Sequence, residues 1–259
     1  MKKRSRAMAV AALVLCISFA GTVSAQENLL EINFTDGYTA GAELAGQQGW
    51  TQGAGSAVTN WMVEDDLLRS HPDATGGQFI YLEFPVQQGI VTATWEWQYE
   101  GDGTVGSNTG FGLMDTANIE LDNDGQIDFN ELSTLCRMAT GITDVPDTID
   151  ARYGDLVGGI DFRALTPVPY MDGTKITVRM VVDVSNQTYD VYAQREGEAE
   201  VQLADDFPFR RAVSQTNGGL NAVVLFDDLS NASGPSITVD NIRVSAGSSS
   251  AASGWEFFQ

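Results

Sequence analysis

The sequence predicts an all-β protein built as a two-sheet antiparallel sandwich of jelly-roll type. Two observations support this fold class. Several segments alternate apolar and polar residues with period two, as half-buried strands do. About a dozen short segments of this kind are separated by turns rich in Gly, Asn and Asp, which is typical of sandwiches. The chain has 259 residues, and residues 26–245 are predicted to form one domain with a sizeable core.

Both ends of the chain are predicted to lie outside this domain. Four basic residues precede an apolar run from Ala7 to Ala20, and small residues follow up to Ala25, so residues 1–25 are predicted to be a signal peptide cleaved near Ala25. The run is too short to span a membrane, and no later stretch approaches the roughly 20 residues that a spanning helix needs. We therefore expect a secreted, periplasmic or cell-surface protein. Residues 246–259, "AGSSSAASGWEFFQ", are predicted to form a flexible tail.

The charge balance excludes one class of partner. The chain has 35 acidic and 14 basic residues, and cleavage after Ala25 leaves ten basic residues and a net charge of −25. Nucleic acid is therefore not expected as a partner. Only Cys136 remains after cleavage, so no disulfide within the mature chain is expected.

The strand pattern is clearest in two regions. One face of "GIVTATWEWQY" carries Val91, Ala93, Trp95, Trp97 and Tyr99, so both tryptophans are predicted to lie in the core rather than to stack on a sugar. The segments "TKITVRMVVDV" and "NQTYDVYAQR" are predicted to form a hairpin that turns near residues 185–187. Further strands are predicted at "NLLEINF", "WMVEDDLLRS", "QFIYLEF", "NTGFGLM", "GGIDFRAL", "EVQLA", "GLNAVVLF" and "SITVDNIRVS".

Residues 115–157 interrupt this pattern. In "FNELSTLCRMAT", Leu132, Leu135, Cys136 and Ala139 recur at helical spacing, which predicts a short helix. A segment of about 40 residues is much longer than an ordinary turn of a sandwich. We interpret it as a short helical insertion.

The insertion contains a calcium-loop motif, "ELDNDGQIDFNE", at residues 120–131. A loop of the EF-hand kind needs oxygen ligands at six fixed positions, with glycine for the turn and an aliphatic residue after it. Gly125 is the glycine of the turn, and Ile127 is the aliphatic residue. The six ligand positions hold Glu120, Asp122, Asp124, the backbone of Gln126, Asp128 and Glu131. The first position usually holds aspartate, and an acidic surface turn is the alternative, but the pattern predicts a structural calcium ion.

Three stretches resemble the concanavalin A-like lectin/glucanase superfamily, especially its laminin-G-like domains: "INFTDGYTAGAELAGQQGW", "VRMVVDVSNQTYDVYA" and "ITVDNIRVS". The resemblance implies a jelly roll and speaks to fold more than to activity. It also implies that a second calcium ion can lie at one edge of the sandwich. Asp36 and Asp240 are the acids in the resembling strands, and ordinary turn or strand-end aspartates are the alternative.

No catalytic residues are predicted. Glucanases of the superfamily carry a Glu-x-Asp-x-x-Glu pattern, and the closest match, "ELDNDG", ends in glycine. Glu96 and Glu100 share a strand face, but four residues at about 3.3 Å each put them about 13 Å apart, beyond the geometry of a glycosidase. The only histidine, His71, falls in a predicted turn, which disfavours a base or a triad.

Binding of an extracellular polysaccharide is therefore the predicted function, through a secreted, calcium-binding, lectin-like domain that does not cleave its ligand. Tyr192, flanked by Asp190 and Gln194, is the candidate aromatic contact. Arg210 and Arg211 could bind an acidic glycan or pair with acidic side chains. Two alternatives remain, a glycoside hydrolase or lyase of the same fold and a non-catalytic structural or adhesive surface protein.

Overall fold

The computed structural model describes residues 26–53, 61–70, 78–101, 108–120, 127, 129–139, 148–153, 161–227 and 236–247. The predicted signal peptide, His71 and most of the predicted tail lie outside these residues. So do the predicted calcium ligands Asp122, Asp124, Gln126 and Asp128. Within the described ranges, no helix is long and apolar enough to cross a membrane.

The regular structure of the described residues is one 3₁₀ turn, Thr116–Glu120, and a series of strands. The strands are β1 Glu27–Ile32, β2 Ala42–Glu43, β3 Thr51–Gln52, β4 Trp61–Glu64, β5 Leu67–Ser70, β6 Gln78–Gln87, β7 Ile90–Glu100, β8 Asn108–Met114, β9 Leu132–Ala139, β10 Thr148–Tyr153, β11 Asp161–Pro169, β12 Lys175–Asp183, β13 Thr188–Arg195, β14 Val201–Pro208, β15 Leu220–Asp227 and β16 Ser236–Gly247. β16 therefore runs two residues beyond the predicted end of the domain.

Two antiparallel sheets pack face to face. One has nine strands in the order β14-β13-β12-β7-β16-β5-β4-β2, with β1 also paired to β16. The other has seven strands in the order β11-β10-β9-β8-β15-β6-β3. The predicted all-β, two-sheet antiparallel sandwich is confirmed.

The predicted hairpin is also confirmed, and a second one was missed. Val182 lies opposite Tyr189 in the β12–β13 pair, and Gln187 in the turn has a φ of 55°. The segment "WMVEDDLLRS", predicted as one strand, is the hairpin β4–β5. Its turn residues Asp65 and Asp66 have φ of 51° and 63°, and two successive positive φ values are the mark of a tight hairpin turn.

The helix predicted from "FNELSTLCRMAT" is wrong. Residues Leu132–Ala139 form β9, which pairs with β8 on one side and β10 on the other. The interval 115–157 therefore contributes two strands, β9 and β10, to the seven-stranded sheet. The helical structure found among its described residues is the 3₁₀ turn Thr116–Glu120, not the segment predicted to be a helix.

A β-bulge explains the false helical spacing. Leu113 lies opposite Thr134, but Met114 lies opposite Leu132, so Ser133 is an extra residue on β9. Beyond the bulge, Leu135 packs on one face of the sheet and Cys136 on the other. Because both faces are buried here, apolar residues stand at intervals of three and one, as they would on a helix.

The main core fills the space between the two sheets. Trp95 and Trp97 are 0% and 1% exposed, and the Trp95 ring stacks on Phe111 of the opposite sheet with ring centroids 4.0 Å apart. The prediction that both tryptophans belong to the core is confirmed. A second, smaller apolar cluster lies on the other face of the seven-stranded sheet.

Candidate functional site

The face of the seven-stranded sheet that points away from the main core is buried, and we call it the outer face. All eight residues of β15 are buried. Val223 and Leu225 join the main core, whereas Val224 and Phe226 join the second cluster. Alternate residues of a strand point to opposite faces, so this strand is covered on both sides.

Residues from the predicted calcium loop help to cover the outer face. Ile127 is 4% exposed and belongs to the second cluster. The Phe129 ring meets Phe79 and Phe226 edge-on, with centroids 5.1 and 5.0 Å away. Ile127 is the aliphatic position of the motif, and here it packs on the sheet.

A buried ion pair lies on the same face. Arg137 on β9 and Asp150 on β10 are directly opposite each other and are 3% and 2% exposed. The guanidinium donates from Nε and Nη2 to the two carboxylate oxygens, at 2.8 and 3.2 Å. Burial raises the pKa of Asp150 to about 6, although the hydrogen bonds and charge of Arg137 oppose this shift.

Arg152 lies two residues after Asp150 on β10, on the same face of the strand. Its side chain is 2% exposed, and its Nε and Nη1 atoms are buried without a hydrogen-bond partner. Burial lowers the pKa of Arg152, and the nearby Arg137 charge acts in the same direction. The Phe162 ring lies beneath both guanidinium groups, with Cζ of Arg137 at 3.1 Å and Cζ of Arg152 at 5.7 Å from its centroid. We call Arg137, Asp150 and Arg152 the outer-face charge cluster.

Aromatic rings on the outer face are only partly covered. Tyr81 on β6, Phe129 and Phe162 on β11 are each half-buried and pack against the second apolar cluster. The guanidinium of Arg137 covers one face of the Phe162 ring. Half-buried aromatic rings beside fixed polar groups suit the apolar and hydroxylated faces of a sugar. The outer face therefore combines aromatic and charged groups in one surface.

The predicted calcium loop lies in the connection between the neighbouring strands β8 and β9 of this sheet. Asp115 follows β8 and Glu131 precedes β9, and their neighbours Met114 and Leu132 face each other in the ladder. The segment between them therefore leaves and re-enters the sheet at adjacent positions. Glu131, the last of the predicted ligands, is 1% exposed. Glu120 ends the 3₁₀ turn.

The oxygen-rich donor set of this loop fits calcium. Within the described ranges, no group of three or more His, Cys, Asp or Glu side chains could hold a metal ion. Four of the six predicted ligands lie outside those ranges, so the calcium site stays a prediction.

Hydrogen bonds fix the chain beside the loop. Asp115 is fully buried and accepts from the backbone N of Ala117 and Ser214 and from Asn217 Nδ2, at 3.0, 2.7 and 2.6 Å. The connection from β14 to β15 is therefore tied to the start of the loop. Asn118 adds a bond from its Nδ2 to the carbonyl of Ala212.

The predicted anion contacts Arg210 and Arg211 lie in this connection. Arg210 is 7% exposed, donates from Nη2 to Asn130 Oδ1 at 2.6 Å, and donates its backbone N–H to the carbonyl of Ser133. It therefore ties the connection to the end of the predicted calcium loop. Arg211 is half-buried, and its Nε has no hydrogen-bond partner.

The other predicted contacts lie elsewhere. Tyr192, Asp190 and Gln194 occupy the solvent-facing side of β13 in the nine-stranded sheet and are half-buried. The guanidinium of Arg179 lies 3.9 Å from the Tyr192 ring centroid, so one face of this ring is covered. Asp190 accepts from the backbone N of Asp206, and Gln194 donates to the carbonyl of Glu198.

The backbone N–H of Phe34 donates to the Asp240 carboxylate, so the two acids of the suggested second calcium site lie on segments that contact each other, and this site stays a prediction. Asp36 is exposed in a turn, whereas Asp240 lines a small pocket on the nine-stranded sheet together with Glu96 and Lys175. Lys175 Nζ lies 3.2 Å from Glu96, so the ammonium group of this lysine already places a positive charge beside these carboxylates.

Comparisons with known proteins identify the fold. No family model and no curated protein sequence matches the chain. Among solved structures, peanut lectin with a 9mer peptide aligns with a TM-score of 0.53 and 11% identity, over 84% of this chain and 97% of the lectin. Lectin I of Ulex europaeus, in complex with the methyl glycoside of α-L-fucose, has a TM-score of 0.53, 7% identity and coverages of 83% and 97%. This chain has the concanavalin A-like jelly-roll fold.

A further structure shares the fold. The CBM2 module of the evolved Dit of Lactobacillus casei BL23 phage J-1 aligns with a TM-score of 0.52 and 10% identity, over 85% of this chain and 95% of the module.

The outer-face charge cluster is a feature of this jelly roll that the sequence did not predict. The signal was "TIDARY", in which charged residues alternate with buried apolar ones, but the segment had been assigned to the insertion.

Proposed function

We propose that this jelly roll is a secreted, calcium-stabilised protein that binds extracellular polysaccharide on the outer face of the seven-stranded sheet without cleaving it. The observation that supports it is the outer face itself. The half-buried rings of Tyr81, Phe129 and Phe162 lie on it together with the charge cluster. A purely structural sheet face does not need buried charges, because apolar side chains of similar size are at least as stabilising.

The fold is consistent with this function. The Ulex europaeus lectin is in complex with a fucoside, and the phage module is a CBM2 module. The signal peptide predicted at residues 1–25 supports export.

Affinity electrophoresis against a panel of neutral and acidic polysaccharides, with calcium present, tests the binding. We expect at least one glycan to retard the protein, and Tyr81→Ala to weaken that binding about tenfold, equivalent to about 1.4 kcal/mol. The matched control is Tyr192→Ala on the nine-stranded sheet, which should bind as the wild type does. Absence of retardation by every glycan contradicts the proposal, as does release of oligosaccharide products.

Calcium has its own test. Glu120, Asp122, Asp124, Asp128 and Glu131 would hold the ion with their carboxylates, and the ion would stiffen the loop from which Ile127 and Phe129 reach the outer face. Calcium should raise the melting temperature relative to chelator by mass action, and Asp124→Asn should remove most of that increase. A melting temperature that is the same in calcium and in chelator contradicts the calcium site.

A further inference from the structure

Three stretches of the sequence match N-x-S/T, the acceptor pattern for N-linked glycosylation of exported proteins. They are "NFT" at residues 33–35, "NQT" at 186–188 and "NAS" at 231–233. The first alone has an acidic residue two positions before the asparagine, Glu31, which bacterial oligosaccharyltransferases also require. Because a glycan is bulky and must lie at the surface, the accessibility of each asparagine decides which pattern can be used.

Asn33 presents its side chain to solvent with the reacting nitrogen free. It directly follows β1 and is exposed. The hydroxyl of Thr35, the third residue of the acceptor pattern, donates to Asn33 Oδ1 at 2.8 Å. Within the described part of the chain, Asn33 Nδ2 makes no hydrogen bond. The nitrogen that would take the sugar is therefore unengaged, and the hydroxyl that the pattern needs already contacts the amide group.

The other two acceptor patterns are less suited. Asn186 is exposed, but its Nδ2 donates to Asp183 Oδ2 at 2.9 Å and its backbone N–H donates to Asp183 Oδ1 at 3.0 Å. Thr188 pairs with Asp183 in the β12–β13 ladder, so this pattern is fixed in a hairpin. Asn231 lies outside the described residues. Asn33 is therefore the best-placed of the two acceptors that the structure describes.

Neighbouring residues hold the Asn33 side chain outward. Ile32 and Phe34 are buried, whereas Asn33 and Thr35 are exposed, which is the alternation of an extended segment. Phe34 is fixed in the core, because its ring lies 5.1 Å from that of Tyr38 and its backbone N–H donates to the Asp240 carboxylate. A glycan on Asn33 would therefore project from the sandwich without displacing a core residue.

The burial of Phe34 also determines when a sugar can be attached. A transferase must draw the acceptor residues into its active site, and the folded protein would lose the packing of Phe34, which is 1% exposed. Asn33 lies close to the predicted cleavage site at Ala25, so it belongs to the first part of the mature chain to be exported. Attachment before folding avoids that loss.

We propose that Asn33 is an N-glycosylation site that is modified during export, before Phe34 packs into the core. The donor is an oligosaccharide carried on a polyprenyl pyrophosphate. Asn33 Nδ2 forms a bond to C1 of the first sugar, the bond from C1 to the pyrophosphate oxygen breaks, and the lipid pyrophosphate leaves with the electron pair. A base of the transferase takes one amide proton. This inference rests on the export included in the proposed function and not on polysaccharide binding.

Mass spectrometry of the mature protein from the organism that produces it tests the proposal. Cleavage after glutamate releases residues 32–43, which contain Asn33 and neither of the other acceptor patterns. We expect this peptide to be heavier than its sequence by the mass of whole sugar residues, and its fragments to place them on Asn33. If the peptide from the exported protein has only its sequence mass, the inference is overturned, and this result depends on no variant.

Substitutions show whether the acceptor pattern is responsible. Asn33→Gln and Thr35→Ala should each abolish the added mass, whereas Thr35→Ser keeps the hydroxyl and should retain it. All three changes are at exposed positions, so the fold should tolerate them. Asn186→Gln is the matched control and should leave the mass added to residues 32–43 unchanged. Added mass that persists on this peptide in Asn33→Gln contradicts the assignment.

Export and polysaccharide binding are judged separately from glycosylation. N-terminal sequencing of the same protein should begin at Gln26. An N-terminus at Gln26 with an unmodified Asn33 overturns this inference while export stands, whereas retention of residues 1–25 contradicts both. Failure of every polysaccharide to retard the protein would contradict the proposed binding and leave glycosylation of Asn33 supported by its mass.

Discussion

At the scale of single residues, the ion pair between Arg137 and Asp150 differs from the pairs on the nine-stranded sheet. Its side chains are 3% and 4% exposed, whereas those of Lys175 and Glu96 are 48% and 27% exposed. An exposed pair contributes about 0–1 kcal/mol. The buried pair must first overcome the loss of hydration of both groups, and its titration should report that cost.

The first prediction concerns pH. The pKa of Asp150 in the folded protein is raised to about 6 by burial, so the folded state holds this proton more tightly than the unfolded chain. The resulting stabilisation is complete below about pH 4 and is lost as the pH rises through about 6, with a total on the order of 3 kcal/mol. As the pH rises from about 4 to about 6, the free energy of unfolding of the wild type should therefore fall relative to that of Asp150→Asn.

Urea unfolding of both proteins across this pH range measures the difference. Groups that titrate in both proteins cancel, so the difference isolates Asp150. If the free energy of unfolding of the wild type instead rises with pH relative to that of Asp150→Asn, Arg137 stabilises the carboxylate by more than burial disfavours it.

The second prediction concerns Gly110 on β8. A Cβ atom there would lie 2.2 Å from Cζ of Phe226 and 2.4 Å from the carbonyl oxygen of Cys136. Gly110→Ala should therefore lower the free energy of unfolding by about 2–4 kcal/mol, because the backbone of β9 cannot move aside. Gly89→Ala is the control, since that position has no atom within 4 Å, and its effect should stay within about 0.5 kcal/mol. Equal stability of the two variants would contradict the close packing of Phe226 on β8.

At the scale of elements, the predicted calcium loop and the seven-stranded sheet are joined by side chains. Ile127 belongs to the cluster formed by Phe79, Met114 and Phe226, and a Cβ on Gly53 would lie 3.0 Å from it. The loop is therefore connected to the sheet by apolar packing as well as by its two chain ends.

The third prediction follows from this contact. Ile127→Ala should lower the free energy of unfolding by about 2–5 kcal/mol, because it opens a cavity in a buried apolar cluster. Val86→Ala is the control on β6, where the side chain is 43% exposed, and it should change stability by less than about 0.5 kcal/mol. Chemical denaturation of both variants in calcium measures this difference. A neutral Ile127→Ala would show that the loop does not pack on the sheet in solution.

The elements also show where sequence patterns mislead. β12 and β13 were predicted correctly because one face of each strand is polar, and the alternation stays visible. β9 was predicted as a helix because its bulge at Ser133 and its two buried faces remove that alternation. β10 was missed because its outward residues Asp150 and Arg152 are charged yet buried, a combination that no local pattern predicts.

At the scale of the whole molecule, the excess of acidic residues dominates. The formal net charge is −21 for the full chain. Like charges spread over one domain repel each other, and this repulsion disfavours the compact state. Salt shortens the range of that repulsion.

The fourth prediction is a stabilising effect of salt. Raising NaCl from about 0.05 M to about 0.5 M should raise the melting temperature by about 2–5 °C, because screening weakens the repulsion more than it weakens the few exposed ion pairs. The measurement is a thermal melt with chelator present, so that calcium binding does not contribute. A lower melting temperature in high salt would mean that attractive pairs outweigh the net repulsion.

The predicted ligand contacts stay predictions, and the structure adds the partners that surround them. Tyr192, Asp190 and Gln194 were proposed because polar residues flank an aromatic one, yet Arg179 covers the Tyr192 ring. Arg210 was proposed as an anion contact, yet it is tied to Asn130 and Ser133. In each case the partner that engages the side chain lies on a different segment, so the local sequence could not reveal it.

The sequence by itself determined the all-β class, the antiparallel hairpin β12–β13 and the core-facing side of β7. These follow from the alternation of side chains along a strand, which is a local property of the chain. Only the tertiary structure decided that the seven-stranded sheet is buried on both faces and that Arg137, Asp150 and Arg152 meet Phe162 on its outer face. The physical reason is that burial of an outward side chain depends on what covers it, and here distant segments provide that cover.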